Sequence, residues 1–200
     1  MAGSAGKRLE RHAALALSFP QSLFAYRTGP LMTDCPLYVL VMGVSGSGKS
    51  QIGRLLADRI AAEFIDADDY HSPESVAKMA RGEPLNDDDR RDWLATLADL
   101  YRQHRERGSS LVIGCSALKR RYRDVLRSGA QELKIIYLHG ERDVLLSRLQ
   151  SRKGHFFRGD TLLDNQLKTL EPPTPDEAWR LDIREAPATI VEQAAQHLTA

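Results

Sequence analysis

Leu37-Tyr38-Val39-Leu40-Val41-Met42-Gly43-Val44-Ser45-Gly46-Ser47-Gly48-Lys49-Ser50 is the stretch on which the fold turns. Its first six residues form a nearly continuous apolar run ended by glycine, the pattern of a parallel strand buried on both faces. The run reads as the central strand of a sheet. Gly43 to Ser50 then match G-x-x-x-x-G-K-S, in which glycines let backbone N–H groups close around phosphate oxygens. Ile52, Leu55, Leu56, Arg59 and Ile60 follow at helical spacing, so the order is strand, glycine loop, helix. That context is what a phosphate-binding loop needs, because the helix N-terminus adds a positive dipole. Gly43, Val44, Ser45, Gly46, Ser47, Gly48, Lys49 and Ser50 are therefore the candidate nucleotide-binding residues, with Lys49 reaching the β- and γ-phosphates and Ser50 binding Mg2+. A dinucleotide reading would start G-x-G-x-x-G at Gly46, but Gln51 occupies the third glycine position.

Outward from the loop, Glu63-Phe64-Ile65, Leu111-Val112-Ile113 and Ile135-Ile136-Tyr137-Leu138 read as buried strands, with a last short one near Trp179 to Ile183. Helical stretches are expected at 87–107, 117–128, 141–152 and 186–198, and Pro172-Pro173-Thr174-Pro175 reads as a connection. This alternation means an α/β, three-layer domain with a parallel sheet flanked by helices. Right-handed crossovers place the loops starting at Gly43, Asp66 and Gly114 along one edge, where ligands bind.

The 200 residues are about one domain, and 42% hydrophobic with 28% charged residues suits a globular chain. The folded domain is expected over residues 34–200, with residues 1–33 outside the core. In that arm Lys7, Arg8, Arg11 and Arg27 face only Glu10. It reads as a disordered basic extension, as an organelle-targeting presequence, or as untranslated sequence upstream of a start at Met32. The apolar stretch Ala13 to Leu17 is too short to span a bilayer, and a net charge of +1 provides no field favouring nucleic acid. Neither membrane nor nucleic acid is expected as a partner. Cys35 and Cys115 lie far apart without metal-ligand spacing, which argues for a reducing, cytoplasmic compartment.

A phosphate loop does not by itself separate kinases from GTPases or motors. The chain has no Asn-Lys-x-Asp guanine-reading motif, and Leu111 to Cys115 ends without the acidic residue of motor ATPases. Asp66-Ala67-Asp68-Asp69-Tyr70-His71 follows the second strand at the ligand edge. There one carboxylate holds Mg2+ and its neighbour accepts a hydroxyl proton; Asp66 is assigned to metal and Asp68 to substrate. The competing reading is an acidic turn capping the helix begun by Ser72-Pro73-Glu74. Lys78 to Arg90 and Cys115 to Arg123 concentrate polar groups, the second opening a helix where an acidic substrate would be held; their plain readings are a solvated connection and an exposed basic face. Arg148 to Arg158 carry three arginines and Lys153 around Gly154, a lid whose Arg148 and Arg152 would offset charge in the transfer, or else an ordinary basic helix end.

Together these residues resemble the gluconokinases, which share the shikimate-kinase and adenylate-kinase-like fold. The likeness covers about residues 37–198 and rests on Gly43 to Ser50, Asp66-x-Asp68, Tyr70-His71, Lys78 to Asp87, Cys115 to Lys119, Tyr122-Arg123-Asp124 and Arg152 to Phe156. The resemblance implies transfer of the ATP γ-phosphoryl group to the 6-hydroxyl of D-gluconate, with ATP and Mg2+ as cofactors and a homodimer as the common assembly. Gluconate, a polyol carboxylate, needs cations at one end, hydrogen-bonding groups along its length and a base at the other. Arg90, Lys119 and Arg123 are candidates for the first, His71, Asn86, Ser116 and His155 for the second, and Asp68 for the third. A kinase for shikimate or another hydroxy acid, and a regulatory nucleotide binder without catalysis, are the competing readings. The last would have lost Asp68 or the lid arginines, which are present.

Overall fold

A computed structural model describes residues 35–151 and 159–199. The basic arm, and with it Arg152, His155 and Arg158, lies outside the described residues. Five strands, β1 (Tyr38–Met42), β2 (Glu63–Asp66), β3 (Leu111–Gly114), β4 (Lys134–His139) and β5 (Trp179–Asp182), form one sheet in the order β2-β3-β1-β4-β5. All four pairings are parallel. β1 is central, as its unbroken apolar run requires. Alternation splits that run between two cores: Tyr38, Leu40 and Met42 face one side, Val39 and Val41 the other.

The first core packs α3 (Asp87–Arg107) and α4 (Arg120–Arg127) through Trp93, Leu97, Tyr101, Tyr122 and Leu126. The second packs α1 (Lys49–Arg59) and α7 (Pro187–Thr199) through Ile52, Leu56, Ile190 and Leu198. Two more helices, α5 (Arg142–Gln150) and α6 (Gly159–Thr169), pack together, and α2 (Pro73–Ala80) follows a 3-10 turn at Ala67–Tyr70. The parallel arrangement collects the strand C-termini at one edge, where Gly43, Asp66 and Gly114 sit as the crossover rule demands. No described helix is long and apolar enough to cross a membrane.

Three local details go beyond the sequence reading. The cap of α3 is Asn86, whose side chain accepts from Asp89 N–H while the Asp89 carboxylate accepts from Asn86 N–H, so Asp87 is already the first helical residue. α4 begins at Arg120 instead of 117, because Ala117 stands at φ 44 and breaks helical continuity. α6 was not expected from sequence, although Leu163, Leu167 and Leu170 sit on the second core at helical spacing.

Candidate active site

The loop from Gly43 turns tightly because its glycines allow it. A Cβ on Gly43 would meet Leu138 O and Ser47 Oγ at 2.7 Å, and one on Gly46, at φ 83, would meet Leu145 O at 2.8 Å. α1 begins with Gly48 as its cap and no side chain on the cap position's bonds, so no side chain blocks its positive end. Lys49 Nζ donates to Val44 O at 3.3 Å, folded back across the loop. Ser47 Oγ is buried within the loop and makes no hydrogen bond among the described residues.

Facing the start of α1 is the tip of β2. Ser50 Oγ donates to Asp66 Oδ2 at 2.6 Å, and Asp66 Oδ1 accepts from Asp68 N–H at 3.3 Å. A hydroxyl and a carboxylate sharing one spot beside a phosphate loop fit Mg2+, which takes one or two protein oxygens and completes its shell with phosphate and water. Among the described residues no cluster of three or more His, Cys, Asp or Glu side chains forms a closed metal cage.

Beyond Asp66, Asp68 points outward, its side chain 83% exposed, with His71 Nε2 at 3.9 Å from Oδ1. Across from them the N-terminal ends of α3 and α4 meet around Asp87. Its carboxylate accepts from the Tyr122 hydroxyl, from Lys119 Nζ at 2.9 Å and from Arg121, and these bonds hold it well below the usual carboxylate range. Arg90 lies over the Tyr122 ring and gives Nη1 to Leu85 O at 2.7 Å, and among the described residues the rest of its fork makes no side-chain ion pair. Ser116 stands half-buried at the exit of β3. On the opposite side of the phosphate loop a cleft of about 230 Å³ is lined by Gly46, Gly48, Gln51, Arg148, Ile183 and Ile190. Arg148 donates across it to Ile183 O.

A family model for shikimate kinase matches residues 45–198. The thermoresistant gluconokinase of Escherichia coli K12 is 50% identical over 145 residues, which is 72% of this chain and 81% of that protein. A probable gluconokinase of Mus musculus is 44% identical over 161 residues, covering 72% of this chain and 87% of the mouse protein. The crystal structure of a gluconokinase from Sinorhizobium meliloti 1021 superposes with a TM-score of 0.72 at 42% identity, over 82% of this chain and 91% of that one. The chain belongs to the gluconokinase family.

Within this gluconokinase-family fold most of the residues expected at the ligand edge fall into two groups. Gly43 to Ser50, Asp66, Asp68 and Arg148 gather around the phosphate loop. Asn86, Arg90, Ser116 and Lys119 belong to the α3 and α4 side, where Asn86 also serves as a cap and Lys119 is paired with Asp87. Arg123 belongs to neither. It is 1% exposed, and its Nε and Nη2 donate to Glu177 at 2.6 and 3.0 Å. Its Nη1 donates to the carbonyls of Ala117, Leu118 and Glu171. A guanidinium so committed has no edge for a substrate, and Arg123 is a structural tie. His71 stacks its ring on Trp93, leaving Nε2 toward Asp68.

Two residues outside the expected site set also bear on it. Gln166 of α6 accepts Ser45 N–H through Oε1 at 2.6 Å, linking the phosphate loop to the helix that follows residues 152–158. Asp87, the first residue of α3, is the carboxylate around which Lys119, Arg121 and Tyr122 converge. A polar residue within an apolar helical repeat was the only available signal for Gln166, and that pattern is common to surface helices.

Proposed function

We propose that this protein transfers the γ-phosphoryl group of ATP to the 6-hydroxyl of D-gluconate, giving 6-phospho-D-gluconate and ADP. The observation that carries the reading is the placement of Ser50, Asp66 and Asp68 together beside the phosphate loop, in a chain of the gluconokinase family. The loop N–H groups and Lys49 bind and orient the triphosphate. Ser50 and Asp66 are the residues that would hold Mg2+, which neutralises charge on the β- and γ-phosphates. Asp68 accepts the proton of the 6-hydroxyl as the new O–P bond forms; the bond from γ-phosphorus to the bridging oxygen breaks and ADP leaves with its electron pair. Arg148 and Arg152 supply positive charge at the transferred group.

Arg90 is the cation proposed for the gluconate carboxylate, since Lys119 is engaged by Asp87 whereas Arg90 spends one nitrogen on a carbonyl. Asn86, Ser116 and His155 are proposed for the hydroxyls. Residues 34–200 are proposed as the kinase domain and residues 1–33 as an extension. Cys35 and Cys115, far apart in the sequence and without metal-ligand spacing, fit a cytoplasmic location. A homodimer, expected from the family likeness, is checked by sedimentation.

Purified protein with Mg-ATP and a panel of gluconate, other aldonates, shikimate and neutral sugars tests the reading. Gluconate-dependent ADP release, with product phosphorylated at O6, is expected. Release no faster with gluconate than without an acceptor refutes it.

A further inference from the structure

Asp68 presents a mechanical problem for a general base. Its side chain is 83% exposed, and among the described residues its carboxylate accepts no hydrogen bond. A solvated aspartate samples several rotamers, and misplacing a reacting group by 1 Å can cost about 100-fold in rate. The polar group facing its Oδ1 is His71 Nε2, at 3.9 Å.

His71, unlike Asp68, is immobile. Its side chain is 6% exposed and its ring lies flat on Trp93, with centroids 4.3 Å apart and planes 15° apart. Trp93 is itself pinned, because its Nε1–H donates to Ala67 O at 2.8 Å. Ala67 begins the 3-10 turn that carries Asp68. A buried indole in α3 thus anchors both the backbone beside Asp68 and the ring that faces its carboxylate.

The tautomer follows from the same geometry. Nδ1 of His71 is buried and has no hydrogen-bond partner among the described residues. Protonating Nδ1 would bury an unpaired donor and turn the Nε2 lone pair toward a carboxylate. Protonating Nε2 alone turns an N–H toward Asp68 and leaves only a bare lone pair buried. Burial disfavours the doubly protonated cation, and Arg90 adds to this, while Asp68 opposes it.

We infer that His71, held on Trp93 as a neutral imidazole protonated at Nε2, is the positioning residue that orients the Asp68 carboxylate toward the acceptor hydroxyl. The inference rests on the assignment of Asp68 as the base. In the free enzyme the pair stands slightly apart; rotation of the exposed Asp68 side chain closes it when the acceptor arrives.

Two measurements test this, and they fail separately from the gluconate reading. Nitrogen-15 NMR of the histidine rings in the free, full-length protein requires no acceptor, and His71 is expected as the Nε2–H tautomer with Nδ1 unprotonated. An Nδ1–H tautomer overturns the inference whatever the acceptor proves to be. His71→Phe keeps a flat ring on Trp93 without the N–H, and is expected to lower kcat about 10- to 100-fold with KM for ATP and the melting temperature held. His71→Gln returns an N–H at the same reach and is expected to recover part of kcat. Wild-type kcat in His71→Phe, or an equal loss in both variants, overturns the positioning role. Failure of the wild-type protein to use gluconate refutes the proposed substrate and leaves the tautomer result standing.

Discussion

Replacing Arg123 with Met separates a structural tie from a substrate ligand. The guanidinium is 1% exposed and its partner Glu177 has a side chain 11% exposed, so the substitution strands a nearly buried carboxylate. It also leaves the carbonyls of Ala117, Leu118 and Glu171 without their shared donor. Breaking one side of a buried ion pair costs about 3–5 kcal/mol. For a chain of this size that is a fall in Tm of about 6–20 °C. Urea unfolding followed by the fluorescence of Trp93 and Trp179 measures it, with acceptor KM determined well below the new midpoint. The expected result is a large loss of stability with KM little changed in the molecules that remain folded. Removing both charges in Arg123→Met with Glu177→Leu should restore much of the loss, because no charge is then left buried alone. The pH dependence has a definite sign. Arg123 holds Glu177 below the usual carboxylate value of 4.5, so the pair's contribution is full above that value and is lost as pH falls through the depressed folded one. Wild type and Arg123→Met should therefore converge in stability in acid. An unchanged midpoint with a raised acceptor KM would refute the reasoning and return Arg123 to the substrate site.

Other perturbations probe other links. Lys49→Ala removes contacts to the phosphates that strengthen during transfer, and kcat should fall about 100-fold or more, about 3 kcal/mol, in a coupled ADP assay. Asp68→Asn should retain ATP affinity by calorimetry while kcat falls about 100-fold or more; a matching loss of ATP affinity would place Asp68 at the metal instead. Gly129→Ala drives a methyl group into the backbone at Ala98, where α3 meets the end of α4, and should cost about 1–3 kcal/mol in urea unfolding. Burial pushes the Cys115 thiol up to about 12 whereas Cys35 is exposed, so a thiol reagent at neutral pH should modify Cys35 rapidly and Cys115 only on unfolding.

The phosphate loop, the five strands and most helices were legible because they depend on short-range rules. A six-residue apolar run at Leu37 to Met42 needs both faces covered, whatever lies elsewhere in the chain. The 21 residues of α3 carry their own cap and end at Gly108 in the left-handed region, and the sequence reading found those bounds. The crossover rule then carried Asp66 and Asp68 to the loop without any contact being known. The helix α6 lay beyond a basic segment that drew attention to itself, and its own apolar spacing was overlooked.

Which cations face a ligand was decided only by the tertiary structure. Arg90, Lys119 and Arg123 look alike as basic residues near a ligand edge. Yet Glu177 lies 54 positions from Arg123 and Asp87 lies 32 from Lys119, and these distant carboxylates commit two of the three. The same holds for His71, whose role depends on Trp93 of another helix. Periodicity and glycine spacing are written in neighbouring residues, so the sequence alone determined the sheet, the loop and the reaction class. The pairing of charges and rings depends on segments that meet only after the chain has folded, and burial then sets which groups remain open to a substrate.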